Sequence, residues 1–406
     1  MNKDKLDSYV ESLAVEYEQL ENTLQFVSYE YLLKGYKQPH LWYMKQNGYL
    51  PKFKEKLNEI ALKKLEQINT KYKNTILLAY SMASGEEISK DDINKELIIN
   101  VSNEVEDLIN QKQNENKLMV ANLTANIVNN HITTINEIGK SSITFDLRKT
   151  EELFKQITKS IDVHGVRDNL KVTYKNGRSV DWKVYMEMNV RTTMSNEITD
   201  LQVKSGTNNK VVFWLCSQHS DCADDHIDYQ GKLYYDVNYR SFNMPNELLQ
   251  KISAFISANK LLSIQAVKDN KPFLTTRPNC RHYFQPLSTT QALGTSTTKL
   301  LNELGMNKGK GDAEHYDELV TQRYNERQIR KWKKTLQKYE MESIANPNDE
   351  LTQKRVKYSK DKIREWQATQ RQHLKHKDYL ERDYNRESNE ILVNDLGYKF
   401  KMLTKK

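Results

Sequence analysis

Glycine and proline are scarce in this chain, 13 and 7 in 406 residues, and that scarcity constrains its fold more than any other feature. These two residues are the main punctuation of local structure, and long runs without them favour helix. Over the first part of the chain Leu6, Val10, Leu13, Tyr17, Leu20 and Leu24 recur at spacings of three and four. That pattern lays one apolar stripe along a helix. Phe53, Leu57, Ile60, Leu62 and Leu65 follow Pro51, which suits the first turn of a second helix. Asp91 and Asp92 mark a helix start within Ser89–Ile93, and a further helical stretch covers Leu108–Ile135. Residues 1–160 therefore read as a helical docking module of four or five helices with polar outer faces, without visible chemistry.

The pattern changes near Asp162. Lys171–Val180 alternates and contains Asn176-Gly177, the signal of a type I′ hairpin. Asp181 is placed to cap a helix through Trp182, Tyr185, Met186, Met188 and Val190. Val211–Cys216 reads as a buried strand, Gly231–Tyr235 as a second strand, and Asn246–Ala258 as a short helix. Residues 161–290 thus form a small α+β domain. In residues 291–406 the chain turns polar and helical again. Glu326–Ser343 and Asp349–Glu390 flank the turn signal Asn346-Pro347-Asn348 and predict a helical hairpin or coiled coil. Trp332, Leu336 and Tyr339 supply the apolar seam of one arm; Val356, Ile363, Trp366 and Leu374 supply the other. The expected fold class is mainly α with a small central α+β domain. A charged fraction of 29% and a mean hydropathy of −0.81 suit long solvated helices.

The net charge of +8 is unevenly placed. Arg323–Lys377 holds sixteen Lys and Arg against seven Asp and Glu, so the rest of the chain is close to neutral. Arg327, Arg330, Lys331 and Lys334 lie on one arm, and Lys354, Arg355, Lys357, Arg364 and Arg371 on the other, with aromatic residues between them. Such helices are solvated faces, supports that lie along phosphates of double-stranded DNA without reading bases, or contacts for an acidic protein surface. The start of the chain has no apolar core of a secretory leader, and the apolar runs are too short to span a bilayer. A membrane partner is not expected, and a reducing aqueous compartment is.

All three cysteines, Cys216, Cys222 and Cys280, share one window with His219, His226 and His282. Soft and borderline ligands in two short pieces are how a tetrahedral zinc site is built. The same residues also suit small buried thiols and hydrogen-bonded imidazoles that pin loops. Asp225-His226-Ile227 with Cys280-x-His282 superficially resembles an HNH nuclease, with His226 as the base beside a metal, but the paired Cys-x-x-Cys knuckles are missing.

Several pieces occur in order: Tyr174-Lys-Asn-Gly177-Arg178, Tyr185-Met-Glu187-Met188, Arg191-Thr192-Thr193, Ser217-x-His219 through Gln230-Gly231, and Pro278-Asn279-Cys280-Arg281-His282. This series resembles the phage minor capsid protein 2 family, related to the Mu F-like head morphogenesis proteins, over about residues 161–290. The resemblance implies a structural protein of a tailed-phage virion rather than an enzyme. It implies a few copies inside the capsid or near the portal, assembled in the host cytoplasm. Its implied partners are the portal, scaffold and major capsid proteins and packaged DNA. Two departures bear on zinc: Arg277 stands where relatives often have histidine, and Ala223-Asp224-Asp225 where they often have a second cysteine. Gly231 reads as a turn before a strand, Arg281 as a loop staple, and Arg191 as a carboxylate partner more readily than as the arginine of an ADP-ribosyltransferase. The competing function is a zinc-supported nucleic-acid enzyme using His226; a DNA-associated bacterial scaffold is the third.

Overall fold

The computed structural model describes residues 3–84, 103–141, 150–164, 171–174, 176–220, 222–269, 282–309, 313–377 and 379–387. Helices α1 (Lys3–Leu33), α2 (Pro39–Ser84), α3 (Asn103–Ser141) and α4 (Thr150–His164) precede a hairpin of β1 (Lys171–Thr173) and β2 (Ser179–Asp181). Next come α5 (Trp182–Asn208), β3 (Phe213–Cys216), β4 (Gln218–His219) and β5 (Leu233–Tyr235). They are followed by α6 (Asn246–Ala258), β6 (Leu262–Ser263), α7 (Ile264–Asp269), β7 (Phe284–Leu287), α8 (Thr289–Gly294), α9 (Thr297–Glu303) and β8 (Asn307–Lys308). The chain closes with α10 (Ala313–Ala345), α11 (Glu350–Leu374) and the short α12 (Tyr384–Glu387). The architecture is mainly α with a small α+β portion. No helix among the described residues is long and apolar enough to cross a membrane.

Two compact units divide the chain. A sheet unit comprises Met1–Glu11, Lys73–Val105 and Glu187–Thr321; a helical unit comprises Ser12–Tyr72, Glu106–Met186 and Gln322–Lys406. In the sheet unit the strand order is β6-β5-β3-β7. β3 lies centrally, antiparallel to both β5 and β7, while β5 and β6 run parallel. Side chains alternate across a strand, and here both faces are apolar. Phe213 and Leu215 enter one core with Ile252, Leu287 and Leu300. Trp214 and Cys216 enter the other with Tyr234, Ile264 and Phe284. A β-carbon on Gly206 would sit 2.2 Å from the Trp214 ring, so glycine there lets the indole lie against α5. Asp236 is buried and accepts from Asn238 N (2.8 Å), Gln265 Nε2 (2.9 Å) and Thr207 Oγ1, which ties the ends of α5, β5 and α7.

In the helical unit the predicted stripe on α1 is buried at Leu13, Tyr17, Leu20 and Leu24; the side chains of Leu6 and Val10 lie outside the described set. Phe26, Tyr29, Leu32, Trp42, Ile138 and Leu153 belong to one apolar cluster. This unit also buries ions. Glu16 pairs with Lys64 and Lys71. Burial pushes the Glu16 carboxyl up, but the two ammonium groups outweigh it and hold the pKa below the usual value.

Several expectations are corrected. Pro51 does not start a helix: α2 begins at Pro39 and runs through Pro51. Tertiary contacts carry it, because Trp42 Nε1 donates to Leu32 O (2.9 Å) and Gln46 Nε2 to Tyr31 O (2.9 Å) and Lys34 O (2.8 Å), fixing the first turns against the end of α1. The β1–β2 hairpin exists, but its turn is a three-residue loop. Tyr174 N donates to Arg178 O (2.8 Å), and Gly177 takes the left-handed position (φ 81°). α11 ends at Leu374, short of the predicted Glu390, where His376 adopts a positive φ of 67°. Ser89–Ile93 lies outside the described residues.

Candidate functional site

The Cys/His segment is built around the end of β3. Ser217 N donates to Tyr283 O (3.0 Å), and Tyr283 N donates back to Ser217 Oγ (3.2 Å), so the residue before β7 is locked to the residue after β3. Gln218 and His219 then pair in parallel with Asn307 and Lys308. His226 ends a short turn of 3₁₀ helix, Asp224–His226. Gly231 turns the chain into β5 at φ 65°, where a β-carbon would meet Gln218 Oε1 at 2.9 Å.

Three of the six predicted ligands come together as rings. His219 and His282 lie 5.1 Å apart and His226 and His282 5.3 Å apart, each pair edge to face. Gln230, which carries no motif signal as a functional side chain, connects them. Its Oε1 accepts from His219 N (2.8 Å) and lies 3.0 Å from His282 Nε2. A backbone N–H can only donate, so the oxygen of Gln230 faces this site and His282 Nε2 must carry a proton. Ser217 Oγ is 2.9 Å from His219 Nε2. Ser217, Gln230, His226, His282, Cys216 and Cys222 are all buried, and Cys216 and Cys222 are not disulfide-bonded. Cys280, with Asn279 and Arg281, lies outside the described residues. Among the described residues no group of three or more His, Cys, Asp or Glu side chains is arranged to hold a metal ion. His226 is only 3% exposed. The described geometry is that of a hydrogen-bonded closure of the sheet. Arg191 and Thr192 lie within α5, and Thr192 is half-buried.

The basic hairpin divides its predicted cations into two groups. Asn346–Asp349 turns the chain, Asp349 accepts from Thr352 N (3.0 Å) at the start of α11, and Gln353 Nε2 reaches back to Ser343 Oγ (2.7 Å). Leu336, Tyr339 and Ile363 are buried in the seam as expected, joined by Ile329 and by the polar pair Asn325–Gln370 (3.0 Å). Lys334 is buried 3.7 Å from Glu21, and Arg330 donates to the Arg386 carbonyl. Arg355 lies 4.0 Å from Glu342 and over the Tyr339 ring, and Arg327 is half-buried. Lys331, Lys354, Lys357, Arg364 and Arg371 are exposed. On α11 the last four recur at spacings of three, seven and seven, which keeps them on one outer row. Lys354 pairs with Glu350 (3.9 Å) and Arg364 with Asp361 (3.2 Å), both at exposed positions where water screens the attraction.

The chain matches the phage minor capsid protein 2 family over residues 1–375. It belongs to that family. No curated protein and no solved structure matches it. For this minor capsid protein, membership gives a structural role in the phage particle and a place in the virion. The match takes in the four N-terminal helices and the hairpin through α11 as well as the 161–290 segment that carries the quoted motifs.

Proposed function

We propose that this minor capsid protein is built into the head near the portal, contacts the portal oligomer, and lays the outer row of α11 along packaged double-stranded DNA. The family match over residues 1–375 carries the reading. The DNA contact rests on the exposed row Lys354, Lys357, Arg364 and Arg371, which spans about 25 Å of helix at 1.5 Å per residue. Arg330 and Lys334, engaged inside the fold, do not belong to that row. Phosphate contacts of this kind position a protein on DNA without base readout, and each releases counterions. The Cys216–His282 closure supports the sheet and takes no part in chemistry. Co-purification of the full chain with the portal ring of the phage that encodes it tests the portal contact. The expected result is a stable complex, and a chain absent from both portal complexes and procapsids would defeat the proposal.

A further inference from the structure

Two exposed tyrosines and two half-buried tryptophans of the α10–α11 hairpin form a strip. The Tyr324 ring meets Trp366 edge to face with centroids 5.7 Å apart, and Trp332 meets Tyr358 in the same way at 5.5 Å. The two pairs are eight residues apart on each antiparallel helix, about 12 Å along the hairpin. The apolar period of the sequence predicts Trp332 and Trp366 in the seam. Leu336 and Ile363 of that seam are buried, whereas Trp332 and Trp366 are half-buried and their tyrosine partners lie outward, with Tyr324 46% and Tyr358 54% exposed. Cations accompany both pairs. Arg327 lies 5.9 Å from the Tyr324 ring and Lys362 5.9 Å from the Tyr358 ring, and Lys331 is exposed on the α10 stretch between Tyr324 and Trp332. Glu365 is paired with Lys362 at 2.7 Å.

We infer that this strip docks an acidic segment with apolar side chains, supplied by another protein of the particle; this rests on the proposal that the chain is incorporated through protein contacts. Tyr, Trp and Arg are the residue types that dominate binding energy at protein interfaces, and large rings left half-exposed beside cations match a partner that brings both apolar surface and carboxylates. A single nucleic-acid strand is a poorer fit. Bases stack on open ring faces, whereas these rings are set edge to face with one another and flanked by cations. Lys354 precedes Tyr358 by one turn and borders the strip, whereas Lys357, Arg364 and Arg371 lie about a quarter turn or more from Tyr358 and Lys362 around α11, so one helix would present different faces to protein and to DNA.

The test uses the full chain, supplied in trans to phage whose own copy of the gene is disrupted. The chain per procapsid is counted by quantitative mass spectrometry, and duplex and single-stranded DNA affinities are measured on the same purified proteins. The wild-type chain is expected in procapsids. Tyr324→Ser with Tyr358→Ser, and Lys331→Glu with Lys362→Glu, are each expected to lower incorporation at least about tenfold, in the range seen when interface anchors are removed, without changing duplex affinity more than about threefold. Lys331→Arg with Lys362→Arg is expected to restore it. Thermal melting of each variant separates misfolding from failed docking, and because the charge reversals leave the rings in place, they decide the matter if the aromatic variant is unstable. A folded charge-reversal variant that incorporates like wild type overturns the strip assignment alone. A wild-type chain absent from procapsids overturns the functional proposal beneath it. Loss of single-strand affinity in the aromatic variant with incorporation intact would instead mark a nucleic-acid surface.

Discussion

The two units bury their interiors by different chemistry. The sheet unit is apolar on both faces of β3, with Trp214, Tyr234 and Phe284 on one side and Phe213, Leu215 and Leu300 on the other. The helical unit buries ions and hydrogen-bonded polar groups along its helices. Lys338 and Glu342 lie 3.6 Å apart, both inaccessible to solvent. Burial pushes Lys338 down to about 8 and pushes Glu342 up, so desolvation outweighs the attraction between them for both partners. His131 stacks on Phe53 at 3.9 Å, and burial lowers its pKa to about 3. The difference teaches that the sheet unit depends on shape, and the helical unit depends on the protonation state of a few side chains.

The largest expected effects break each kind of interior in its own way. Trp214→Ala should destabilise the sheet unit by about 3–5 kcal/mol through the cavity it leaves, at any pH between 5 and 9, as read by denaturant unfolding. Lys338→Ala should cost about 3 kcal/mol, because it removes the nearer of the two cations beside the buried Glu342 carboxyl and leaves only Arg355 at 4.0 Å. The double substitution Lys338→Met with Glu342→Leu should be neutral or stabilising by about 1–4 kcal/mol, since it removes both desolvation penalties. A double variant as unstable as Lys338→Ala would show that the ion pair itself holds the helices.

The next effect is pH dependence. His131 has a folded pKa depressed from 6.5 to about 3, so the unfolded chain binds the proton first. Its contribution is complete above pH 6.5 and is lost as pH falls toward 3, about 2 kcal/mol between pH 7 and 5. His131→Phe should flatten that slope in thermal melts of the helical unit. Lys338, depressed from 10.5 to about 8, should add stability as pH rises from 8 toward 10.5. The smallest effect belongs to Gly231→Ala, about 1–2 kcal/mol from the left-handed backbone and the contact with Gln218.

Much of the fold was legible because local signals agreed. Asn246–Ala258 was bounded correctly by its apolar period, with Pro245 just before it, and the aromatic and aliphatic run ending at Cys216 marked the central strand. β4, β6 and β8 are two residues each, too short for any period to register. The interior lysines were not legible at all. Lys334 and Lys338 look like solvated charges beside their basic neighbours, and the partner of Lys334 is Glu21, more than three hundred residues earlier in the chain. In the Cys/His segment the spacing did bring three histidines together. Gln230 was visible only as the residue before Gly231; nothing in a single sequence marks an amide as the shared acceptor of two loops. The motifs that carry the family resemblance lie within residues 161–290, yet the match extends over 1–375. Helical surfaces carry family character in a diffuse pattern that short motifs do not capture.

A salt-dependent titration of duplex DNA with the full chain tests most directly whether binding belongs to the outer row of α11 and not to the Cys/His closure. The wild-type chain should lose affinity steeply as salt rises. Lys357→Glu with Arg364→Glu and Arg371→Glu should weaken binding at low salt and lower the slope by about 3, one for each phosphate no longer neutralised. His226→Ala, if folded, should bind as the wild type does. An unchanged slope in the triple variant, or metal-dependent strand cleavage that disappears in His226→Ala, would contradict the account.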